Sequence, residues 1–134
     1  MTDDFFSWVG GSVEAVDLVT AAPLARLAAT LDHDGAHWPA GVLPPLGHWL
    51  AHLPDAAQSE LGADGHPARG GFLPPIPQPR RMWAGGRLTF IASIPIGATI
   101  MKRSTIQSIE PKGVMTFVTV RHELRVEGQI AVTE

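Results

Sequence analysis

The chain has 134 residues, 45% of them hydrophobic, no cysteine and a net charge of −3. That describes one domain with enough apolar residues for a packed core. It excludes disulfide and thiolate chemistry, with a reducing cytoplasm the simplest home, and no apolar run approaches the roughly 18 residues of a membrane helix.

Residues 1–12 read as a loosely ordered lead-in, and the acidic "MTDDFFSW" is unlike a signal or transit peptide. "VEAVDLVT" (13–20) predicts a short strand, pairing at a sheet edge. Thr20 is placed to cap a helix with Pro23 near its start. "PLARLAATL" (23–31) puts Leu24, Leu27, Ala28 and Leu31 on one face of that helix. "DHDGAHWPAG" (32–41) is a loop by its Asp, Gly and Pro content. "PPLGHWLAHL" (44–53) predicts a second short helix between Pro44-Pro45 and Pro54. Its apolar face is Leu46, Trp49, Leu50 and Leu53, and it is apolar nearly all round, so other structure is expected to wrap it.

Residues 54–80 form a long Pro/Gly-rich connection, the kind of loop that often serves as a binding loop or lid. Beyond Arg87 the texture changes, and only two of the twelve prolines lie past residue 80. "RLTFIASI" (87–94), "ATIMKRSTIQSI" (98–109), "VMTFVTVRHELRV" (114–126) and "QIAVTE" (129–134) predict an antiparallel meander. In the third of these, Val118, Val120, Leu124 and Val126 share one face, and Arg121, Glu123 and Arg125 the other. The fold class is therefore α+β, a short apolar helix against a twisted antiparallel sheet.

Charge is distributed unevenly along this frame. Residues 1–79 carry two basic side chains (Arg26, Arg69) against nine acidic ones, while residues 80–134 carry eight basic against four acidic. A solvated sheet face accounts for the basic half. A phosphate-bearing ligand docked there is the sharper reading, and the absence of a dense basic cluster argues against nucleic acid.

The stretch "PPLGHWLAHLPDAAQSELGADGHPARGGFLPPIPQPRRMWAGGRLTF", continued by "FVTVRHEL" and "AVTE", resembles the N-terminal half of MaoC-like, two-hot-dog acyl-thioester hydratases, the group that includes mesaconyl-CoA hydratase. The resemblance covers roughly residues 13–134 and is most specific over 43–90. It implies a hot-dog fold, a curved sheet around a central helix, with "PPLGHWLAHL" as that helix. It implies an acyl-CoA thioester as ligand, no cofactor, and a second hot-dog domain as partner, either in a homodimer or as a catalytic subunit. In such relatives the catalytic Asp and His lie in the C-terminal hot dog, which this chain lacks, so the chain is expected to be an excised half or one completed by a separate subunit.

Several residues are candidates for the site. Arg80 and Arg81 offer guanidinium forks for phosphate. Trp83 offers a ring to stack on, and Gly85 and Gly86 allow close backbone approach; a bulge or bend with Trp83 in the core is the structural alternative. Asp32 and His37 stand five positions apart, as do the family's Asp and His, but without the intervening Asn-Pro. They are the candidate water-activating pair, with a polar loop as the alternative. His122 lies on the apolar strand face, as a satisfied core histidine or one facing the acyl tunnel. His48 and His52 have the four-residue spacing of a metal hook, but Trp49 stands where a zinc protease carries Glu, so no metal is expected. "GADG" and "GG" make no phosphate loop, since no Lys-Ser/Thr follows.

Three functions follow from the resemblance. The first is a hot-dog half of an enoyl- or hydroxyacyl-CoA hydratase that shapes the acyl pocket. The second is a self-sufficient homodimeric hydratase using Asp32 and His37. The third is an acyl-CoA-binding module without chemistry.

Overall fold

The computed structural model describes residues 4–34 and 37–134. One five-stranded antiparallel sheet organises it, in the order β1-β3-β4-β5-β2. The strands are β1 (Ser12–Leu18), β2 (Thr89–Phe90), β3 (Thr99–Lys112), β4 (Met115–Val126) and β5 (Gln129–Thr133), with one α-helix, α1 (Ala21–Thr30). The α+β class and the edge position of β1 match the sequence reading.

Three expectations change. From Asp4 onward the lead-in is ordered: Phe5–Trp8 form a 3-10 turn, and Gly10 N–H donates to Ile106 O (2.9 Å); Met1–Asp3 lie outside the described residues. The "RLTFIASI" segment keeps only two residues of strand, and these pair with β5 rather than with β3. Only β3, β4 and β5 form the meander. The predicted 44–53 helix shrinks to a 3-10 turn over Gly47–Leu50, because Leu46 takes a left-handed conformation before it and Ala51 is extended after it. Its buried residues are Gly47 and His48, while Leu46, Trp49 and Leu53 are exposed, so the expected apolar face does not form.

The ladder explains which side chains point inward. Ile100, Lys102, Ser104 and Ile106 share one face of β3, by the period-two rule. Gln107 is then an extra residue with no partner on β4, a bulge that lets Ile109 be buried beside Ile106 although their spacing is odd. A second bulge, at Ala131 of β5, leaves its carbonyl to accept from the N–H groups of Ile91 (2.8 Å) and Ala92 (3.1 Å). β4 and β5 join through Glu127-Gly128, both at positive φ (50° and 80°), the dihedrals of a tight hairpin turn.

The core is the cluster of Val19, Ile94, Ile100, Leu124, Ala131 and Val132, with Leu43, Ala51, Ile96 and Val126 against it. The chain crosses over this cluster along residues 41–52, tied down where Leu43 N–H donates to Ile94 O and Ile96 N–H to Gly41 O (both 2.9 Å). On the outer face charged side chains pair, as in Arg103 with Glu14 (2.7 Å) and Arg125 with Glu123 (3.1 Å).

Candidate functional site

The inner face of the sheet carries a polar patch among apolar neighbours. Ser104 of β3 pairs with His122 of β4, whose backbone exchanges hydrogen bonds with Glu134 (2.8 and 2.9 Å). Lys102 pairs with Leu124 one step along. Four polar side chains thus stand together on β3, on β4 and just past the end of β5. Ser104 Oγ and His122 Nδ1 share a hydrogen bond of 2.7 Å.

The crossing segment roofs this patch. A Cβ on Gly47 would come to 3.0 Å from Pro44 Cδ, a tight contact, so glycine eases the close fold of the chain before His48. His48 is buried and donates from Nε2 to Glu134 Oε2 (3.1 Å); Trp49 Nε1–H donates to both Glu134 oxygens (3.2 and 3.1 Å). His52 follows at φ 53°, its backbone N–H donating to Asp17 Oδ2 (2.7 Å). That bond, with a second from Leu18 N–H, holds the Asp17 carboxyl below its usual range.

Between roof and sheet lies a cavity of about 280 Å³ lined by His48, His52, Leu53, Lys102, His122 and Glu134 among others. Burial pushes the pKa of Lys102 down, opposed by Glu134. Burial and the Lys102 charge push His122 and His52 down as well. The carbonyls of Ile100 and Ala15 lie near enough to His52 to favour its cation, yet both of its ring nitrogens are buried without hydrogen-bonding geometry to any group. On the other side of His48 a second cavity, about 320 Å³, is walled by Leu43, Pro44, Phe90, Ile91, Ile94 and Val132.

Of the residues singled out from sequence, His122 reaches this site, as do His48 and His52. Neither cavity is lined by Arg80, Arg81, Trp83, Gly85 or Gly86. Arg81 is held by Asp64 (Nε to Oδ2, 3.0 Å) and donates to Pro67 O (2.9 Å). Arg80 is exposed. Trp83 is 79% exposed, outside the core, and lies over Gly86. Asp32 and His37 share no hydrogen bond among the described residues. Asp32 sits just past the end of α1 at φ 57°, where its N–H donates to Ala29 O and His33 N–H to Ala28 O. This is a Schellman stop, which gives Asp32 a backbone role. His37 packs instead on His33 (ring centres 3.7 Å apart); Gly35 and Ala36 between them lie outside the described residues. The metal-hook geometry of His48 and His52 is lost because the 3-10 turn ends at Leu50.

Lys102, Ser104 and Glu134 are site residues the sequence reading passed over, while Trp49 and His52 enter it only as part of an apolar face and of a metal-hook spacing. Lys102 and Ser104 had a signal: they fall in step with Ile100 and Ile106.

Comparison with known proteins agrees with this picture. The chain is 40% identical, over 98% of its length, to a mesaconyl-C(4)-CoA hydratase of Chloroflexus aurantiacus. It spans 49% of that relative, about half its length. Among solved structures, the (R)-hydratase of A. caviae aligns over 93% of this chain and 90% of its own, at 17% identity and a TM-score of 0.55. A MaoC-like dehydratase from Rhodospirillum rubrum aligns over 93% of this chain and 86% of its own, at 15% identity and a TM-score of 0.51. The fold is the α+β hot dog of these proteins. Residues 46–134, most of the chain, match the model of hydroxyacyl-thioester dehydratase type 2, and the chain belongs to that family.

Proposed function

We propose that this chain is one hot-dog half of an acyl-CoA hydratase or dehydratase, shaping the acyl pocket and pairing with a second hot dog that carries the acid and base. The observation that carries this reading is the match of nearly the whole chain to half of a mesaconyl-C(4)-CoA hydratase. Hydration next to a thioester needs a base for water, an acid for the α-carbon and a donor for the carbonyl oxygen. That Asp32 serves the helix stop and shares no hydrogen bond with His37 among the described residues supports placing the acid and base elsewhere. The hollows on either side of His48, one apolar between Leu43 and Phe90 and one lined by both apolar and polar groups beside Lys102, suit the parts of an acyl group. The reaction requires no cofactor, and the absence of cysteine favours the cytoplasm.

A partner domain is favoured by what is left uncovered. β1 is an open edge with Val13, Val16 (67%) and Leu18 exposed, and α1 buries none of its residues despite its apolar stripe. Arg80 is the candidate contact for a CoA phosphate, with Trp83, Gly85 and Gly86 beside it. Arg81 would serve only by leaving Asp64.

The test follows enoyl absorbance with crotonyl-CoA and mesaconyl-CoA. The chain alone is expected to be inactive, and activity to appear when it is mixed with the C-terminal half of the C. aurantiacus relative. Activity of the chain alone, abolished by Asp32→Asn or His37→Ala, would establish a self-sufficient enzyme instead. Binding of either thioester with no activity in the mixture would leave an acyl-CoA-binding module.

A further inference from the structure

The polar groups around the cavity under residues 47–54 are unevenly matched. Glu134 accepts from His48 and Trp49, Asp17 accepts from two backbone N–H groups, and His122 Nδ1 is bonded to Ser104. Lys102 Nζ has neither a hydrogen bond nor an ion pair among the described residues, although the side chain is half-buried. Its strand neighbours are Ala15 and Leu124, whose side chains cannot accept a proton. His122 Nε2 is likewise unbonded, and it is not sealed off as the ring nitrogens of His52 are. A half-buried ammonium without an acceptor is unfavourable, and structures retain one chiefly where something else supplies the acceptor.

We propose that this cavity receives a carboxylate, held by Lys102 Nζ and His122 Nε2, and that the carboxylate is the far end of a dicarboxylic acyl group. The second half of the proposal rests on the acyl-thioester reading above. The proposed site takes the tautomer in which His122 Nδ1 accepts from Ser104 Oγ (2.7 Å) and the proton sits on Nε2, so that the ring and the ammonium both present donors to one anion. A monoanion fits better than a phosphate dianion: there is one lysine, and the Glu134 charge stands in the same wall. At about 280 Å³ the space suits a short acid, with Ala51, Leu53, Pro54 and Leu124 around its carbon chain.

The test compares succinyl-CoA with butyryl-CoA, which differ at the far end of the acyl chain, by calorimetry on the full chain. In parallel, free succinate is titrated while the His122 ring is followed by NMR. Succinyl-CoA is expected to bind at least about tenfold more tightly than butyryl-CoA. Lys102→Met should remove that preference and leave butyryl-CoA binding in place, while Lys102→Arg should keep part of it. Succinate should shift the Nε2 signal of the parent and not of Lys102→Met. Equal affinity for the two thioesters overturns the proposal and leaves the acyl-thioester reading standing. A succinate shift with no binding of either thioester keeps the carboxylate site and overturns its acyl source together with that reading. An unmoved His122 ring with no preference overturns the site itself.

Discussion

The arm over residues 54–88 and the meander over 99–134 are held in opposite ways. In the meander, ladder hydrogen bonds and the buried Ile100, Ile106 and Leu124 fix the direction of every side chain. The arm has one three-residue 3-10 turn and one isolated bridge, and Pro74 is its only buried residue. Its order comes from side chains that reach back to the chain. Arg69 donates to the carbonyls of Ile76 and Gln78, Arg81 binds Asp64 and Pro67, and Gln78 reaches Val114 and Thr116 on the rim of the sheet. An arginine-rich, glycine-rich loop therefore need not be a ligand cradle. Here two of its three arginines up to residue 81 bind the arm to itself, and the convergent polar groups sit on the sheet.

Replacing one anchoring side chain in each region would show this contrast most strongly. Leu124→Ala, at the centre of the meander, should cost about 2–5 kcal/mol in urea unfolding. A loss below ~1 kcal/mol would mean that the core is elsewhere. Arg69→Ala should act locally: protease cleavage within 61–79 should rise, while amide exchange in β3 and β4 stays unchanged, with local opening easier by roughly 1–3 kcal/mol. Global destabilisation by this variant would break the division between arm and sheet.

The histidines of the cavity give the sheet a pH dependence of its own. His122 and His52 are held below their ordinary value of 6.5 by burial first and by Lys102 second. They stay neutral in the fold at pH values where the unfolded chain already binds protons. Stability is thus full above that ordinary value and declines as pH falls below it, down to the folded pKa. Urea midpoints at pH ~7.5 and ~5.5 should show the decline, and His122→Asn should make it shallower. Smaller again is Arg81→Ala. The Asp64 carboxyl, held low chiefly by Arg81, should move back toward its ordinary value, and the arm should become easier to cleave at low salt, less so at high salt. Trp83→Ala closes the series, with stability changed by no more than ~0.5 kcal/mol.

The same contrast marks what sequence reading can reach. Alternation in "VMTFVTVRHELRV" is a local rule, and it placed His122 on the inner face correctly. Applied to "TIMKRSTI" it also puts Lys102 and Ser104 there, polar residues in step with buried isoleucines. Turn chemistry located the ends of β3, β4 and β5 to within a few residues. Other features depend on the path of the chain through space. Glu134 meets His48 from 86 residues away along the chain, and the turn after His48 gives way to an extended Ala51 as His52 N–H reaches Asp17. Helical periodicity in "PPLGHWLAHL" predicts an apolar face that the Leu46 conformation prevents. Asp32 and His37 matched a family spacing, but the Schellman stop at Asp32 is set by backbone geometry that the spacing does not encode.

The unpaired Gln107 gives β3 two reading frames. Before it, even-numbered residues face the cavity, and after it Ile109 and its neighbours follow the opposite phase. Deleting Gln107 would set Ile106 and Ile109 two apart, so that one frame keeps Lys102, Ser104 and Ile109 all inside. A deletion at 103 instead would force a choice between keeping Lys102 inside and keeping Ile106 inside. Substitutions in the stretch before the frame change can therefore retune the cavity while the hairpin end of the strand keeps its packing, so the lining can change without refolding the sheet.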